Sequence, residues 1–258
     1  MKNHLNNNED NSTLIKKKVL FVIAHPDDEC MFFTPTIQHY NFIGSEIFVA
    51  CLSNGNAVGL GKIREKELID SCIDMGINQE NVFFDQTNNF QDGMNIIWDT
   101  DLVEKTILSF IKQTSADIVI SFDECGISSH PNHISISNGL KQLMKNKSSS
   151  TTTTSTTSSS SSSSSLSNRT TNNLNKEIKA YKLETVNIIR KYIGIADIPL
   201  TKLLSYDENS TQTFISTQLF PPSSYSPMTK HKSQFVWFRY LFVFLSRYSF
   251  INTLIEIK

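Results

Sequence analysis

VLFVIAHPDDECMFF, residues 19–33, sets six apolar residues directly against a histidine and three acids. An unbroken apolar run of this length predicts a parallel strand covered on both faces. The polar residues then stand at the strand's carboxyl end, where parallel sheets bind ligands. His25, Asp27, Asp28 and Glu29 put four ionisable groups into five positions. So much negative charge needs an offset. A divalent metal ion is one candidate, and the positive end of a helix starting there is the plainer one.

Working outward from that strand, the chain alternates. A helix is expected over Asp28–Tyr40, shortened or bent at Pro35. A second strand is expected over Glu46–Leu52, followed by the turn Ser53-Asn54-Gly55. The spacing over Gly61–Met75 predicts a helix ending at Gly76, with Ile63, Leu68, Ile69 and Cys72 on its inner side. Asn81–Phe84 reads as a third strand. Asp99–Gln113 reads as a helix burying Leu102, Val103, Thr106, Ile107 and Phe110. Asp117–Phe122 is a fourth strand, Pro131–Lys145 a helix with proline in its first turn, and a further strand lies near Lys179–Asn187. This alternation predicts an α/β fold: a Rossmann-like three-layer sandwich with a mostly parallel sheet.

One domain over residues 17–258 is expected, behind a polar, Asn-rich tail over 1–16 that is too poor in apolar residues to fold. A low-complexity Ser/Thr/Asn insertion over 147–176 interrupts it, with eighteen consecutive Ser or Thr at 148–165. Loop closure costs grow only logarithmically, so such an insertion is tolerable. The net charge of -1 gives no general attraction to nucleic acid. Cys30, Cys51, Cys72 and Cys125 form no CxxC pair, which suits reduced thiols.

A second histidine segment, SSHPNH over 128–133, follows the fourth strand as AHPDDE follows the first. Together they offer His25, His130, His133 and the acids at 27–29. A catalytic zinc needs three nitrogen or oxygen ligands and an open position. His25, Asp28 and His133 would supply them and leave Asp27 and His130 beside the metal, although each histidine taken alone also fits a helix cap or a core position.

AHPDDE and HPNH at these strand ends resemble the two signatures of the PIG-L / LmbE-like zinc de-N-acetylase family. Four further stretches resemble its eukaryotic, N-acetylglucosaminyl-phosphatidylinositol branch: LSNGNAVGLGKIREKEL, SFDECGISSHPNH, VNIIRKYIGIADIPL and HKSQFVWFRYLFVFLSRYSFINTL. The resemblance spans about residues 18–146 and 178–254. It implies Zn2+, or another divalent ion, on His25, Asp28 and His133. It makes Asp27 the general base and a protonated His130 the donor to the oxyanion, with either of them protonating the departing amine. Arg64 matches an arginine that contacts substrate, and Asp92 loosely matches a sugar-hydroxyl contact. Glu29 is expected to orient a neighbouring group or cap the helix, and Cys30 to pack. The implied activity is removal of acetate from N-acetylglucosaminyl-phosphatidylinositol, an early step of GPI-anchor synthesis. The alternatives are a soluble de-N-acetylase of another N-acetylglucosaminyl conjugate, or a non-catalytic metal- or lipid-binding relative.

The implied location is the endoplasmic reticulum membrane, active site facing the cytosol. Eukaryotic relatives carry an N-terminal anchor, whereas MKNHLNNNEDNST holds no apolar core, and no run of about 18 apolar residues occurs anywhere. Attachment is therefore expected from the aromatic-basic segment 232–258. There FVWFRYLFVFLSRYSF, residues 235–250, would form a helix with Lys232, Arg239 and Ser246 on one stripe and Arg247 beside it, either lying on the membrane surface or packing as a core helix.

Overall fold

The computed structural model describes residues 16–152, 177–204 and 210–258. The strands are β1 (Lys18–Ile23), β2 (Glu46–Cys51), β3 (Val82–Phe84), β4 (Ile118–Phe122), β5 (Lys179–Leu183), β6 (Thr211–Ile215) and β7 (Ile251–Ile257). The helices are α1 (Asp28–Phe32), α2 (Thr34–Phe42), α3 (Gly61–Asp74), α4 (Thr100–Thr114), α5 (Gly126–Ser129), α6 (Pro131–Thr152), α7 (Ile188–Tyr192), α8 (Asp197–Leu204), α9 (Tyr225–Met228) and α10 (Trp237–Leu245).

One seven-stranded sheet in the order β3-β2-β1-β4-β5-β7-β6 runs through the molecule. The first five strands are parallel, and β7 and β6 close the far edge antiparallel. The expected α/β architecture is thus present, with an antiparallel extension. Central β1 is flanked on both sides, which explains why Val19 to Ile23 are all 0% exposed and why the sequence there does not alternate. From β1 the chain winds one way to β2 and β3, then returns to place β4 on β1's other side. The sheet's reversal point therefore lies between β1 and β4, where such folds open a crevice. Both histidine segments leave the sheet there.

Several expectations need correction. The first helix is two: the chain breaks at Phe33 (φ −116, ψ 0), and Pro35 sits in the first turn of α2. A proline there lacks only an N–H that would go unpaired anyway, so it starts a helix and does not bend one. The inner face of α3 is also shifted. Ile63 is 53% exposed, while Arg64, Glu67 and Ser71 are buried beside Leu68 and Cys72. β5 ends at Leu183, four residues early, because Glu184 and Thr185 turn away to meet Thr253 and Asp123.

α6 runs to Thr152, beyond Lys145 and into the Ser/Thr run, guided along α4 by Gln142 and Asn146 bonding to Glu104. The rest of the insertion and the N-terminal tail lie outside the described residues. Cys30, Cys51 and Cys72 are buried free thiols and Cys125 is an exposed one. No helix among the described residues is long and apolar enough to cross a membrane.

The C-terminal segment is not one long helix. Only Trp237–Leu245 is helical, and 251–257 forms a strand inside the sheet. The expected basic stripe is dismantled accordingly. Arg247 is fully buried and paired with Asp197 at 2.7 Å, and Arg239 turns inward towards the first motif.

Candidate functional site

The segment after β1 folds back on itself. Asp28 Oδ2 accepts the backbone N–H groups of Ala24 (3.0 Å) and His25 (2.9 Å), which leaves Oδ1 free to face across the crevice. Oδ1 lies 3.3 Å from His133 Nε2. His133 Nδ1 meets the carbonyl oxygen of Gly126 at 3.0 Å, and since a carbonyl only accepts, Nδ1 carries the proton. Nε2, buried without a hydrogen-bond partner, then points a lone pair at a carboxylate oxygen. Two acceptors so placed repel unless a proton or a metal ion lies between them.

His25 is set up the same way. Its Nε2 faces two acceptors, Asn132 Oδ1 at 3.0 Å and Asp92 Oδ1 at 3.2 Å, and therefore carries the hydrogen. The Asn132 amide is oriented by Gly93 N–H donating to its oxygen and by its own nitrogen donating to Ile96. His25 Nδ1 is left unprotonated, 3.8 Å from Asp28 Oδ2. His25, His130 and His133 bring ligand atoms within 4.8 Å of one another. Imidazoles locked by carbonyl, carboxamide or carboxylate partners on one nitrogen, with the other converging on a carboxylate, are how proteins hold a divalent metal. The donor set fits such an ion on His25, Asp28 and His133. Mixed nitrogen and oxygen donors accept zinc among several divalent metals.

The electrostatics of these side chains alone follow from the same contacts. Burial opposes the charged form of Asp28, but His133 and then His25 hold its carboxyl far below the ordinary range. Burial also opposes charge on His25, and the hydrogen bond to Asp92 and the charge of Asp28 more than offset it, so its pKa is raised. His130 goes the other way, pushed down to about 4 by burial and by the neighbouring imidazoles His25 and His133. Asn132 N–H donates to His130 Nδ1 at 3.3 Å, so the proton of a neutral ring sits on Nε2. In that form the ring offers the crevice an N–H donor.

Asp27 is held in an unusual backbone conformation (φ 109, ψ −18), which costs a non-glycine residue about 1–3 kcal/mol. Glu29 secures it: Oε2 accepts the Asp27 N–H at 3.1 Å, while Oε1 accepts from Ser71 Oγ and pairs with His231 Nε2, both at 2.6 Å. Glu29 therefore orients its neighbour, as expected, and does so through residues of α3 and the loop after α9. Its carboxyl is held low by His231 and Ser71 against the opposing effect of burial. The Cys30 thiol is packed and raised well above its usual value by burial.

The Asp27 side chain meets two arginines. Arg239 reaches Oδ2 at 2.9 Å and also touches the Met31 sulfur, and Arg64 stands 3.8 Å from Oδ1. Arg64 is buried, donating to the carbonyl oxygens of Gly55 (3.0 Å) and Pro26 (2.7 Å) and approaching Asp92 at 3.5 Å. It ties the loops after β1 and β2 together. Asp92, loosely placed by sequence, lies within the site between His25 and Arg64.

The second loop is equally constrained. Asp123 caps it by accepting from the N–H groups of Cys125 (3.1 Å), Gly126 (3.0 Å) and Thr185 (2.6 Å). Gly126 has φ +58, and a Cβ there would stand 3.0 Å from that of His133, so both conformation and space call for glycine.

Comparison with known proteins bears on the family and the fold. The family described as "PIG-L: GlcNAc-PI de-N-acetylase" matches residues 20–144. The N-acetylglucosaminyl-phosphatidylinositol de-N-acetylase of Bos taurus is 32% identical over 92% of this chain and 82% of its own length. The chain belongs to this family. A protein of Schizosaccharomyces pombe, named as a probable N-acetylglucosaminyl-phosphatidylinositol de-N-acetylase, is 36% identical over 93% of this chain and 87% of its own. The fold is shared with N,N'-diacetylchitobiose deacetylase of Pyrococcus horikoshii, with a TM-score of 0.57 and 17% identity over 87% of this chain and 75% of that one.

The structure also places around the site four residues that sequence reasoning left out: Arg239, Asn132, Ser71 and His231. Asn132 lay inside the HPNH motif. Arg64, Glu67 and Ser71, three and four apart, were a visible polar face on α3. His231 opens the stretch HKSQFVWFRYLFVFLSRYSFINTL, but nothing in that stretch tied it to Glu29.

Proposed function

We propose that the chain is a metal-dependent hydrolase that removes the N-acetyl group of N-acetylglucosaminyl-phosphatidylinositol, releasing acetate in GPI-anchor synthesis. The observation that carries this reading is the meeting of His25, Asp28, His133, Asp27 and His130 at one sheet crevice, in a chain whose curated relatives bear that name. A divalent ion bound there, zinc by family resemblance, supplies Lewis-acid activation of water and of the amide carbonyl.

The chain's own residues do the rest. Asp27, outside the ligand set, accepts the proton of the attacking water, its carboxylate kept in place by Arg239. His130 Nε2–H is the donor aimed where charge develops on the carbonyl oxygen. Phe122, stacked on His133 at 3.9 Å, and Trp98, edge-on to His25 at 6.3 Å, keep bulk water off the ligands. Asp92 stands at the rim to accept from a sugar hydroxyl. Arg64 acts by setting the loop that carries Asp27. On this reading the enzyme works at the endoplasmic reticulum membrane, with the site open to the cytosol. The exposed aromatic residues of α10 are the surface that meets lipid.

Acetate release from N-acetylglucosaminyl-phosphatidylinositol, measured beside its water-soluble deacylated form and an unrelated N-acetylglucosaminide, tests the reading. Turnover of the first, lost on chelation and restored by a divalent metal, is the expected result. Activity confined to the unrelated compound refutes it.

A further inference from the structure

Beside the metal-ligand cluster the surface opens into a groove of about 480 Å³. Leu241, Phe242 and Leu245 of α10 form one wall, Tyr192 of α7 the other, and Met31 and Phe32 of α1 the floor. The groove and the catalytic crevice share a partition. The Phe32 ring stands 5.8 Å from His133 on one side and 5.6 Å from Phe242 on the other. Ser128, two residues before His130, also reaches the groove wall.

An apolar groove of this kind should hold no charge, yet it holds Lys191. That residue is only 6% exposed. Its ammonium has one long hydrogen bond, 3.4 Å to the carbonyl oxygen of Ile127, and lies 5.5 Å from the Tyr192 ring and 5.9 Å from that of Phe242. Among the described residues no carboxylate pairs with it. Arg239, the other cation of the groove, is already engaged by Asp27. Burial disfavours the charged form of Lys191, as its lowered pKa reflects. A buried cation without a counter-ion is strongly unfavourable and calls for an anion from outside the chain.

Building on the function proposed above, we infer that Lys191 binds the phosphodiester of the substrate and that the groove between α7 and α10 takes up its lipid chains. The order of groups fits. An anion at Lys191 lies against the Ile127 loop that leads into His130, so the sugar beyond it faces the metal ligands while the glycerol side faces α10. Outside the groove the apolar surface continues: Trp237 is 73%, Phe238 52% and Ile189 72% exposed. A lipid leaving the bilayer can thus enter the groove without crossing water.

Lys191→Met keeps most of the length of the side chain and removes its charge. Binding of dihexanoylphosphatidylinositol to the full chain, followed by fluorescence of Trp237 at the groove's edge, should weaken about 10- to 100-fold, the worth of one hydrogen bond to a charged group. Lys191→Arg should retain most of the binding. Deacylated glycerophosphoinositol should bind the wild type more weakly and still depend on Lys191, whereas Leu241→Asp should impair only the diacyl form. The melting temperature of Lys191→Met should hold or rise, because an uncompensated charge has gone.

Equal binding by wild type and Lys191→Met, or no binding by the wild type, overturns the inference, as does a fall in melting temperature with binding unchanged. These measurements need no deacetylation. Phosphoinositide binding without acetate release would sink the proposed activity and leave the groove. Acetate release with binding indifferent to Lys191 would do the reverse.

Discussion

Arg239, in a helix near the end of the chain, places its guanidinium 2.9 Å from the carboxylate of Asp27, 212 residues earlier. The contact joins the aromatic helix to the motif after β1. It also leaves the proposed base with a defined direction, because Asp27 Oδ2 is engaged and, among the described residues, Oδ1 is approached by Arg64 at 3.8 Å.

Substituting Arg239 by Met removes that contact and keeps most of the apolar stem. The Asp27 carboxylate is then free to turn, and misplacement of a reacting group by about 1 Å costs on the order of 10²-fold in rate. A fall of that size in kcat, with KM and metal content little changed, is expected from steady-state kinetics and metal analysis. A pure KM effect would assign Arg239 to substrate binding instead.

Asp27→Asn tests the base itself. Asparagine tolerates positive φ and can still accept from Arg239, so the fold and the metal ligands should survive. Loss of proton acceptance should lower kcat by about 10²–10⁴. Unchanged turnover in a metal-replete variant would falsify the assignment.

Metal occupancy has a readout apart from activity. An ion that binds only the folded chain raises its stability, by about 2.7 kcal/mol at a concentration 100 times its dissociation constant. Thermal melts with added zinc, manganese or cobalt should show such a rise. The rise should vanish in Asp28→Asn, which loses the charged Oδ1 facing His133 but keeps an oxygen for the backbone of Ala24 and His25. An undiminished shift in that variant would move the ion elsewhere, the obvious alternative being the second convergent group of Glu29, Cys30 and His231.

What sequence made legible, and what it did not, follows from the range of each signal. β1 and β4 were readable because strands buried on both faces are mostly apolar, and their ends fixed where chemistry would lie. His25, Asp28 and His133 were readable because their loops leave adjacent strands. The inner face of α3 was misread because Arg64 and Ser71 are buried as partners of the first motif and Glu67 as the acceptor of Ser233, roles apolar periodicity does not report. Phe33 as the helix break, and the inward turn of Arg239 and Arg247, depend on tertiary contacts with distant segments. A basic stripe on a helical wheel looks the same whether its charges meet phosphate headgroups or buried carboxylates.

The Glu29–His231 pair gives the last prediction, and its sign can be worked out. Burial disfavours the charged form of His231, but the charge and hydrogen bond of Glu29 outweigh it and lift its pKa above the ordinary 6.5. A group whose folded pKa is raised contributes stability that is fully present below the unfolded value and is lost as pH rises through the folded one. The unfolding free energy of the wild type, compared with that of His231→Gln, should therefore differ most below about pH 6.5. The difference should shrink through the alkaline side of that value as the imidazolium deprotonates. Glu29 also holds the Asp27 N–H, so weakening the pair loosens the proposed base. Denaturant melts at a series of pH values give the comparison directly. A gap between the two proteins that stays constant from pH 6 to 9 would mean that His231 is neutral in the fold, and that Glu29 keeps its position through Ser71 alone.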